Sequence, residues 1–443
     1  MSETLTLSRP EEQVAPVMGE HRARPRIVII GGGFAGVAAA KALRRCDADV
    51  VVIDRRNHHI FQPLLYQVAT AVLSPSDVAA PIRQLAAKQQ NVSVMLGEVV
   101  GVDLNSKFAE VNCPGVGVKK IGFDYLVVAT GMQSSYFGHD EFAKYAPCLK
   151  TIADAEAIRT KILGAYELAE SIEDADERQR QITFVLVGAG PTGVELAASI
   201  AQMATTTLRR NFRRVDPADT SIILLEGGKR VLPTFAESLS NKVAKRLAKL
   251  GVQVVTGAMV ERIDDQGVCV GGKVIPCGAV LWTAGVAPSP LTKMLGVATD
   301  RAGRPCVGPF LDAPDNPGVF VVGDTASLMQ NGKPLPGVAQ VAIQQGRYVG
   351  RFITRELGGR KPPRPFRYFD KGNMAVVGKN YAIMESGRIR LAGRLAWFVW
   401  AFIHILALPQ LQNRLRVERQ WLWSYFTGQR SSRLVSEPRR LGK

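Results

Sequence analysis

The chain carries one demanding supersecondary pattern twice, and that repetition limits its fold more than any other feature. From Arg26 to Asp54 it reads RIVIIGGGFAGVAAAKALRRCDADVVVID. Arg26–Ile30 is a short β-branched apolar run with the composition of a buried strand. Gly31, Gly33 and Gly36 follow in GxGxxG spacing, with Phe34 between the last two. An Ala-rich stretch from Val37 to Arg45 predicts a helix, and Val50–Ile53 predicts a second strand ending at Asp54 and Arg55. The three glycines serve different ends. Gly31 permits the tight turn, Gly33 lets backbone approach a pyrophosphate, and Gly36 lets helix lie against strand. Phosphates would sit on free N–H groups at the helix start, and Asp54 would accept ribose hydroxyls.

The second copy begins with the strand Ile182–Val187. Gly188, Gly190, Pro191, Thr192 and Gly193 form the turn, Val194–Met203 the helix, and Ile222–Leu225 the next strand, closed by Glu226. Two motifs 157 positions apart (31 to 188) cannot belong to one site. The expected fold class is therefore α/β, with two Rossmann-like dinucleotide-binding domains. Gly193 to Glu226 spans 33 positions, against 18 from Gly36 to Asp54. The extra length, Thr205–Thr220 with Arg209, Arg210, Arg213 and Arg214, predicts a helix extension plus loop. Glu226 favours NADH, because its carboxylate repels a 2′-phosphate; nearby Lys229 and Arg230 oppose that preference. Glu195 is expected in the first turn of its helix, where two readings stand: a charge stabilised by the helix dipole, or a contact to the nicotinamide nucleotide.

Three apolar strands end in ligand-type residues. Asp124–Val128 runs into Ala129, Thr130 and Gly131, Val280–Ala284 runs into Gly285, and Val319–Val322 runs into Gly323 and Asp324. Such strand ends lie at the carboxyl edge of a parallel sheet, where ligands bind, although a core strand with a turn glycine would read the same. Asp324 is placed to bond a ribityl or phosphate group. Ala339 precedes Gln340 and Gln344, which are four apart and share one helix face; two amides there would bond a ring carbonyl or stay solvated. Long helices are expected over Asp154–Arg180 and Pro233–Leu250. His58 and His59 are adjacent and would point apart on a regular element, so no metal site is expected.

Length suggests two or three domains. The 56 Lys and Arg against 39 Asp and Glu leave a net charge of +17, which calls for an acidic partner. Six cysteines show no CxxC spacing and read as reduced thiols. None lies between Cys46 and Cys113, so a disulfide relay there is not expected. Residues 1–25 lack an apolar signal core and read as a disordered tail. From Arg388 onward eleven Lys and Arg face two Glu. Within that tail Leu395–Leu408 is almost wholly apolar but too short to cross a bilayer, which takes about 20 residues. Leu411–Phe426 sets Trp421, Trp423, Tyr425 and Phe426 among Arg414, Arg416 and Arg419. Apolar-aromatic faces flanked by arginines suit helices lying in a bilayer interface; a buried hairpin or dimer face is the other reading. Anionic lipid then accounts for the charge, and no nucleic-acid platform is seen.

NHHIFQPLLYQVAT (57–70), GAGPTGVELA (188–197), AGV (284–286), VFVVGDTA (319–326), AQVAIQQG (339–346) and FRYFDKGNMAVVG (366–378) together resemble the type II NADH:quinone oxidoreductases, single-subunit NADH dehydrogenases that pump no protons. The resemblance spans 26–428. It implies FAD on the first motif, NADH on the second, and a membrane quinone as acceptor. It also implies that Gln340 and Gln344 border the flavin ring and quinone pocket, that Glu195 contacts the nicotinamide side, and that Lys379 lies near flavin and quinone. The domain layout expected is a discontinuous FAD domain (26–153 and 287–346), an inserted NADH domain (154–286), and a membrane-associating quinone-access region (347–443). The location implied is the cytoplasmic face of the inner membrane, with a homodimer as one option. Three rivals stand: a sulfide:quinone oxidoreductase, which needs a cysteine pair beside the flavin; a soluble NADH oxidase or ferredoxin reductase; and a non-catalytic NADH-sensing flavin-binding membrane scaffold.

Overall fold

The computed structural model describes residues 24–435, so almost all of the expected 1–25 tail lies outside the described residues. The first sheet is parallel and is built from β1 (Arg26–Ile30), β2 (Asp49–Asp54), β3 (Val92–Leu96) and β4 (Tyr125–Val128). α1 (Phe34–Ala42) joins β1 to β2. It starts three residues before the expected Val37, because Gly33 is its extended N-cap and the Val37 N–H already donates to the Gly33 carbonyl. It also stops short of Arg45, so Phe34 stands at the helix tip. α2 (Leu65–Ala69) is a single buried turn beyond β2.

α3 (Ile152–Ser171) ends at an extended Ile172, and a separate helix, Ala175–Gln181, follows. The single Asp154–Arg180 helix expected from sequence is thus two. Asp174 caps the second, accepting the Glu177 N–H at 2.7 Å, and this local bond competes with helix continuation. The second parallel sheet comprises β5 (Thr183–Val187), β6 (Ser221–Glu226), β7 (Val252–Thr256) and β8 (Ala279–Trp282), in the order β7-β6-β5-β8. α4 (Pro191–Gln202) links β5 to β6 and continues into a π-helical turn, Met203–Thr207. β9 (Val319–Val321) then rejoins the first sheet beside β4, with Phe320 opposite Val127. The chain thus leaves the first sheet, completes the second, and returns. A small antiparallel pair, Met132–Ser134 with Val286–Pro288, lies where it crosses.

α5 (Ala339–Leu357) packs on α1. Small residues permit this: a side chain at Gly346 would meet the Ala35 carbonyl at 2.1 Å. α5 is one helix through 346 and 347, so the expected boundary there cuts an element; likewise α3 begins at Ile152, ahead of 154. The three antiparallel strands β10 (Asn373–Val376), β11 (Ala382–Ser386) and β12 (Ile389–Gly393) were not legible as a sheet. α6 (Arg394–Ala407) and α7 (Leu411–Thr427) close the fold. Their Ala396, Trp400, Leu408 and Val417 join the core that also holds α2, α3 and α4. Their opposite faces expose Leu395, Phe398, Phe402 and Leu406, and Leu411, Trp423 and Phe426. No helix among the described residues is long and apolar enough to cross a membrane.

Candidate functional site

The glycine turns come first, because both are built alike. Gly31 and Gly188 have φ of +107° and +101°. A Cβ on Gly36 would sit 1.8 Å from the Gly31 carbonyl oxygen, and one on Gly193 1.9 Å from that of Gly188. The closing acids also match. Asp54 accepts the Gly32 N–H at 2.6 Å and the Arg56 N–H at 2.7 Å. Glu226 accepts the Ala189 N–H at 2.7 Å and the Gly228 N–H at 2.8 Å. Each carboxylate therefore locks the second strand to its own glycine turn.

Around the first turn lies an open cleft of about 1540 Å³ including its mouth. Gly31, Gly33, Phe34, Asp54, Arg55, Thr130, Gly131, Gly323 and Asp324 all line it; Gly36 lies beneath, and Ala339 heads α5. The fit to a long two-phosphate dinucleotide is good: Gly33 has nothing within 4 Å of where a side chain would be, it caps α1, and the start of that helix, where a phosphate gains from the free N–H groups, lines the cleft. Lys150, which the sequence motifs do not include, and His59, read there only as a poor metal ligand, also line this cleft. Burial lowers the Lys150 pKa, opposed by the Asp324 charge, and burial raises that of Asp324, opposed by Lys150. Burial holds His59 down to about 4, hence neutral. Its Nδ1 lies 3.0 Å from the Gly32 carbonyl oxygen, and its ring meets Phe34 edge-on at 5.0 Å. Among the described residues Cys148 is the only thiol lining the cleft, and burial pushes its pKa up.

At the second turn, Gly190 is the N-cap of α4, Pro191 and Thr192 open the helix, and Gly193 packs on the strand. The Thr283 hydroxyl reaches the Val187 and Gly188 carbonyls at 2.8 and 2.7 Å, tying the end of β8 to the turn. Gly285 has φ +68°, and a side chain there would strike the Ser135 carbonyl at 2.4 Å. Arg230, a sequence candidate for a 2′-phosphate, instead donates to the Phe235 and Pro233 carbonyls. In the insertion, Glu170 accepts the backbone N–H groups of Arg213, Arg214 and Val215.

A second cleft, about 820 Å³ including its mouth, lies between α2, α4, β10 and the two C-terminal helices. Glu195 and Lys379 both line it. Glu195 is not in the first turn: α4 starts at Pro191, so Glu195 is its fifth residue and caps nothing. It accepts the Val376 N–H at 3.3 Å, and burial raises its pKa to about 8, so at neutral pH it is a carboxylic acid. The Lys379 ammonium lies 4.1 Å over the Tyr425 ring and donates to the Tyr425 carbonyl. Trp400 and Trp421 stack at 5.2 Å. Trp421 donates to Gln67 (2.7 Å), and Gln67 donates to the Tyr66 hydroxyl (2.9 Å). Gln340 and Gln344 line neither cleft. Gln340 donates to the Gly372 carbonyl at 2.9 Å; Gln344 donates to the Phe369 carbonyl and accepts its N–H. These amides pin the segment leading into β10. The neighbouring Gln345, not singled out from sequence, accepts the Gly323 N–H at 2.6 Å, while its own amide N–H groups lack a partner among the described residues.

Two acid-locked glycine turns on two parallel sheets define a two-dinucleotide oxidoreductase. The family model described as pyridine nucleotide-disulphide oxidoreductase matches residues 25–346. The chain is 43% identical to the type II NADH:quinone oxidoreductase NdhA of Mycobacterium tuberculosis over 430 residues, covering 94% of this chain and 89% of that one. It is 29% identical to an internal alternative NAD(P)H-ubiquinone oxidoreductase of Arabidopsis thaliana, covering 93% and 86%. Among solved structures, NDH2 from Plasmodium falciparum in complex with NADH superposes with a TM-score of 0.85 at 21% identity, covering 92% of this chain and 99% of that one. The sulfide:quinone oxidoreductase of Aquifex aeolicus gives 0.69 at 17% identity, covering 91% and 95%; both likenesses speak to fold alone. The chain belongs to the pyridine nucleotide-disulphide oxidoreductases and, within them, to the type II NADH:quinone oxidoreductase family.

Proposed function

We propose that the protein oxidises NADH with a membrane quinone, NADH + quinone + H⁺ → NAD⁺ + quinol, holding FAD in the first cleft, NADH on the second glycine turn and the quinone in the aromatic cleft. The observation that carries this is the pair of matched turns beside a separate cleft that contains a buried carboxylic acid. Bound FAD would supply the two-electron chemistry, accepting hydride and passing electrons on. The protein's own groups then orient and protonate. Asp54, the glycine turn and the Gly323–Asp324 strand end hold the first nucleotide, and Glu226 with Gly188–Gly193 the second. Glu195, protonated at neutral pH, is a proton donor on the acceptor side, and Lys379 holds the cleft's outer wall to α7. Its relatives' names concern NADH and quinone, which supports the reading. The sulfide-oxidising rival is disfavoured, because one thiol in the cleft cannot form the pair it needs.

The exposed apolar faces of α6 and α7, with Arg394, Arg414, Arg416 and Arg419 on the same helices, suit a peripheral seat on anionic lipid at the cytoplasmic face of the cell membrane. The test is to mix purified protein with NADH, with and without a short-chain quinone. NADH should bleach the bound flavin, and sustained NADH oxidation should require the quinone. Turnover indifferent to quinone overturns the reading, and bleaching by sulfide but not NADH would favour the rival.

A further inference from the structure

Beyond α7 the chain re-enters the protein. Arg430 is the least exposed Lys or Arg among the described residues, at 6%. It donates to the Thr70 carbonyl at 2.7 Å and to the Ser199 carbonyl at 3.0 Å, and lies 3.5 Å from the Ser199 hydroxyl. No carboxylate among the described residues pairs with it. Burial pulls its pKa down to about 9, so it stays charged at neutral pH. A guanidinium offers five N–H donors, and these protein contacts engage three at most. Two neighbours fix the segment around it: the Thr207 hydroxyl donates to the Gly428 carbonyl at 3.0 Å, and the Ser432 N–H to that of Ala71.

A buried cation without a carboxylate is expensive. If Arg430 did no more than hold the tail, a neutral donor would serve at lower cost. Its position supplies the other explanation, since Arg430 lines the aromatic cleft together with Tyr66 and Glu195. Burial pushes the Tyr66 phenol's pKa well up, and the Arg430 charge opposes that rise. The cleft thus combines a neutral acid, a phenol and a fixed positive charge within apolar walls.

We propose that Arg430 is an acceptor-recognition residue: its guanidinium, carried in by the segment beyond α7, orients a quinone's carbonyl oxygens and offsets the negative charge they gain on reduction. This rests on the quinone reading of the second cleft given above. It implies a substrate whose reacting end is a pair of electron-rich oxygens rather than a neutral apolar ring.

The experiment uses FAD-loaded, full-length protein and two acceptors, a short-chain quinone and ferricyanide, the latter too hydrophilic to need an apolar cleft. Arg430→Met should lower kcat/KM for the quinone about tenfold or more, as expected for loss of a charge-assisted hydrogen bond. NADH oxidation with ferricyanide should change less than twofold. Arg430→Lys should recover part of the loss, mainly through KM. Equal loss with both acceptors would reduce Arg430 to a tail fastener and overturn the proposal, as would an unchanged quinone kcat/KM. Should the Met variant fail to retain FAD, the Lys variant decides: a quinone KM raised threefold or more supports the proposal, and an unchanged one overturns it. Absence of quinone turnover in the unaltered protein would instead sink the functional reading itself, and this shows before any variant is made.

Discussion

Glu195 shows most clearly what a single residue does here. Its position on α4 faces the cleft, and only one backbone N–H supports its charge. Desolvation therefore dominates, and the carboxyl holds its proton up to about pH 8, against an ordinary value of 4.5. The consequence for stability has a definite sign. Between about pH 4.5 and pH 8 the folded protein keeps this proton while the unfolded chain releases it, so stability falls as pH rises through that window. Glutamine carries no such dependence. Glu195→Gln should therefore gain thermal stability over the parent progressively from pH 5 to pH 8, with little difference at pH 4, as melting curves across that range will show. Catalysis should move oppositely, because the amide cannot give up a proton. Stopped-flow reoxidation of NADH-reduced protein by a short-chain quinone should slow at least tenfold at pH 7. The parent's rate should decline above pH 8, a limb the variant should lack. An identical profile in both proteins would remove Glu195 from proton delivery.

At the scale of elements, the βαβ units were legible almost residue by residue, because strand composition, glycine spacing and a closing acid are all local signals. β1, β2, β5 and β6 lie within a residue or so of where the apolar runs placed them. The helices were less faithful, since a glycine cap extends α1 and α4 upstream of their apolar pattern; the misplacement of Glu195 follows from that alone. What no local pattern carries is convergence. Lys150 and Arg430 reach their clefts from segments without a motif, and the Gln340 and Gln344 amides turn to a loop rather than to a cleft. The tail helices lie between these cases, because their apolar runs are plain in sequence but which face stays exposed depends on the core they pack against. That face now gives a sharp test. Phe398, Phe402 and Phe426 are 58%, 65% and 80% exposed, and burying each phenyl ring in lipid would contribute about 1.5–3 kcal/mol. Replacing all three with Ser should cut cosedimentation with anionic vesicles by more than about 100-fold, with NADH oxidation by ferricyanide preserved. Binding should also weaken on neutral vesicles, by roughly 1 kcal/mol for each arginine at the surface. Undiminished vesicle binding by the triple variant would move the interface elsewhere.

For the whole molecule, the decisive property under the proposed function is that two equivalent turns hold different nucleotides. Their local geometry does not distinguish them; their surroundings do. The first turn faces a large cleft completed by a strand end from much later in the chain, Gly323 and Asp324, and by α5 packed on α1. The second stands on the sheet that is inserted between β4 and β9. A resident cofactor belongs where distant segments close around it, and an exchanging substrate where the site is built from one unit. Matched substitutions can separate the two roles, because the steric lesion is nearly the same: an added methyl meets a carbonyl oxygen at 1.8 Å at Gly36 and at 1.9 Å at Gly193. Gly36→Ala should yield protein purified without flavin absorbance and inactive with every acceptor. Gly193→Ala should retain stoichiometric flavin, which dithionite still reduces, yet its NADH dissociation constant should rise about 100-fold or more. Flavin loss from Gly193→Ala, with retention in Gly36→Ala, would reverse the assignment. Equal flavin loss from both would mean that the turns serve the fold before they serve any ligand.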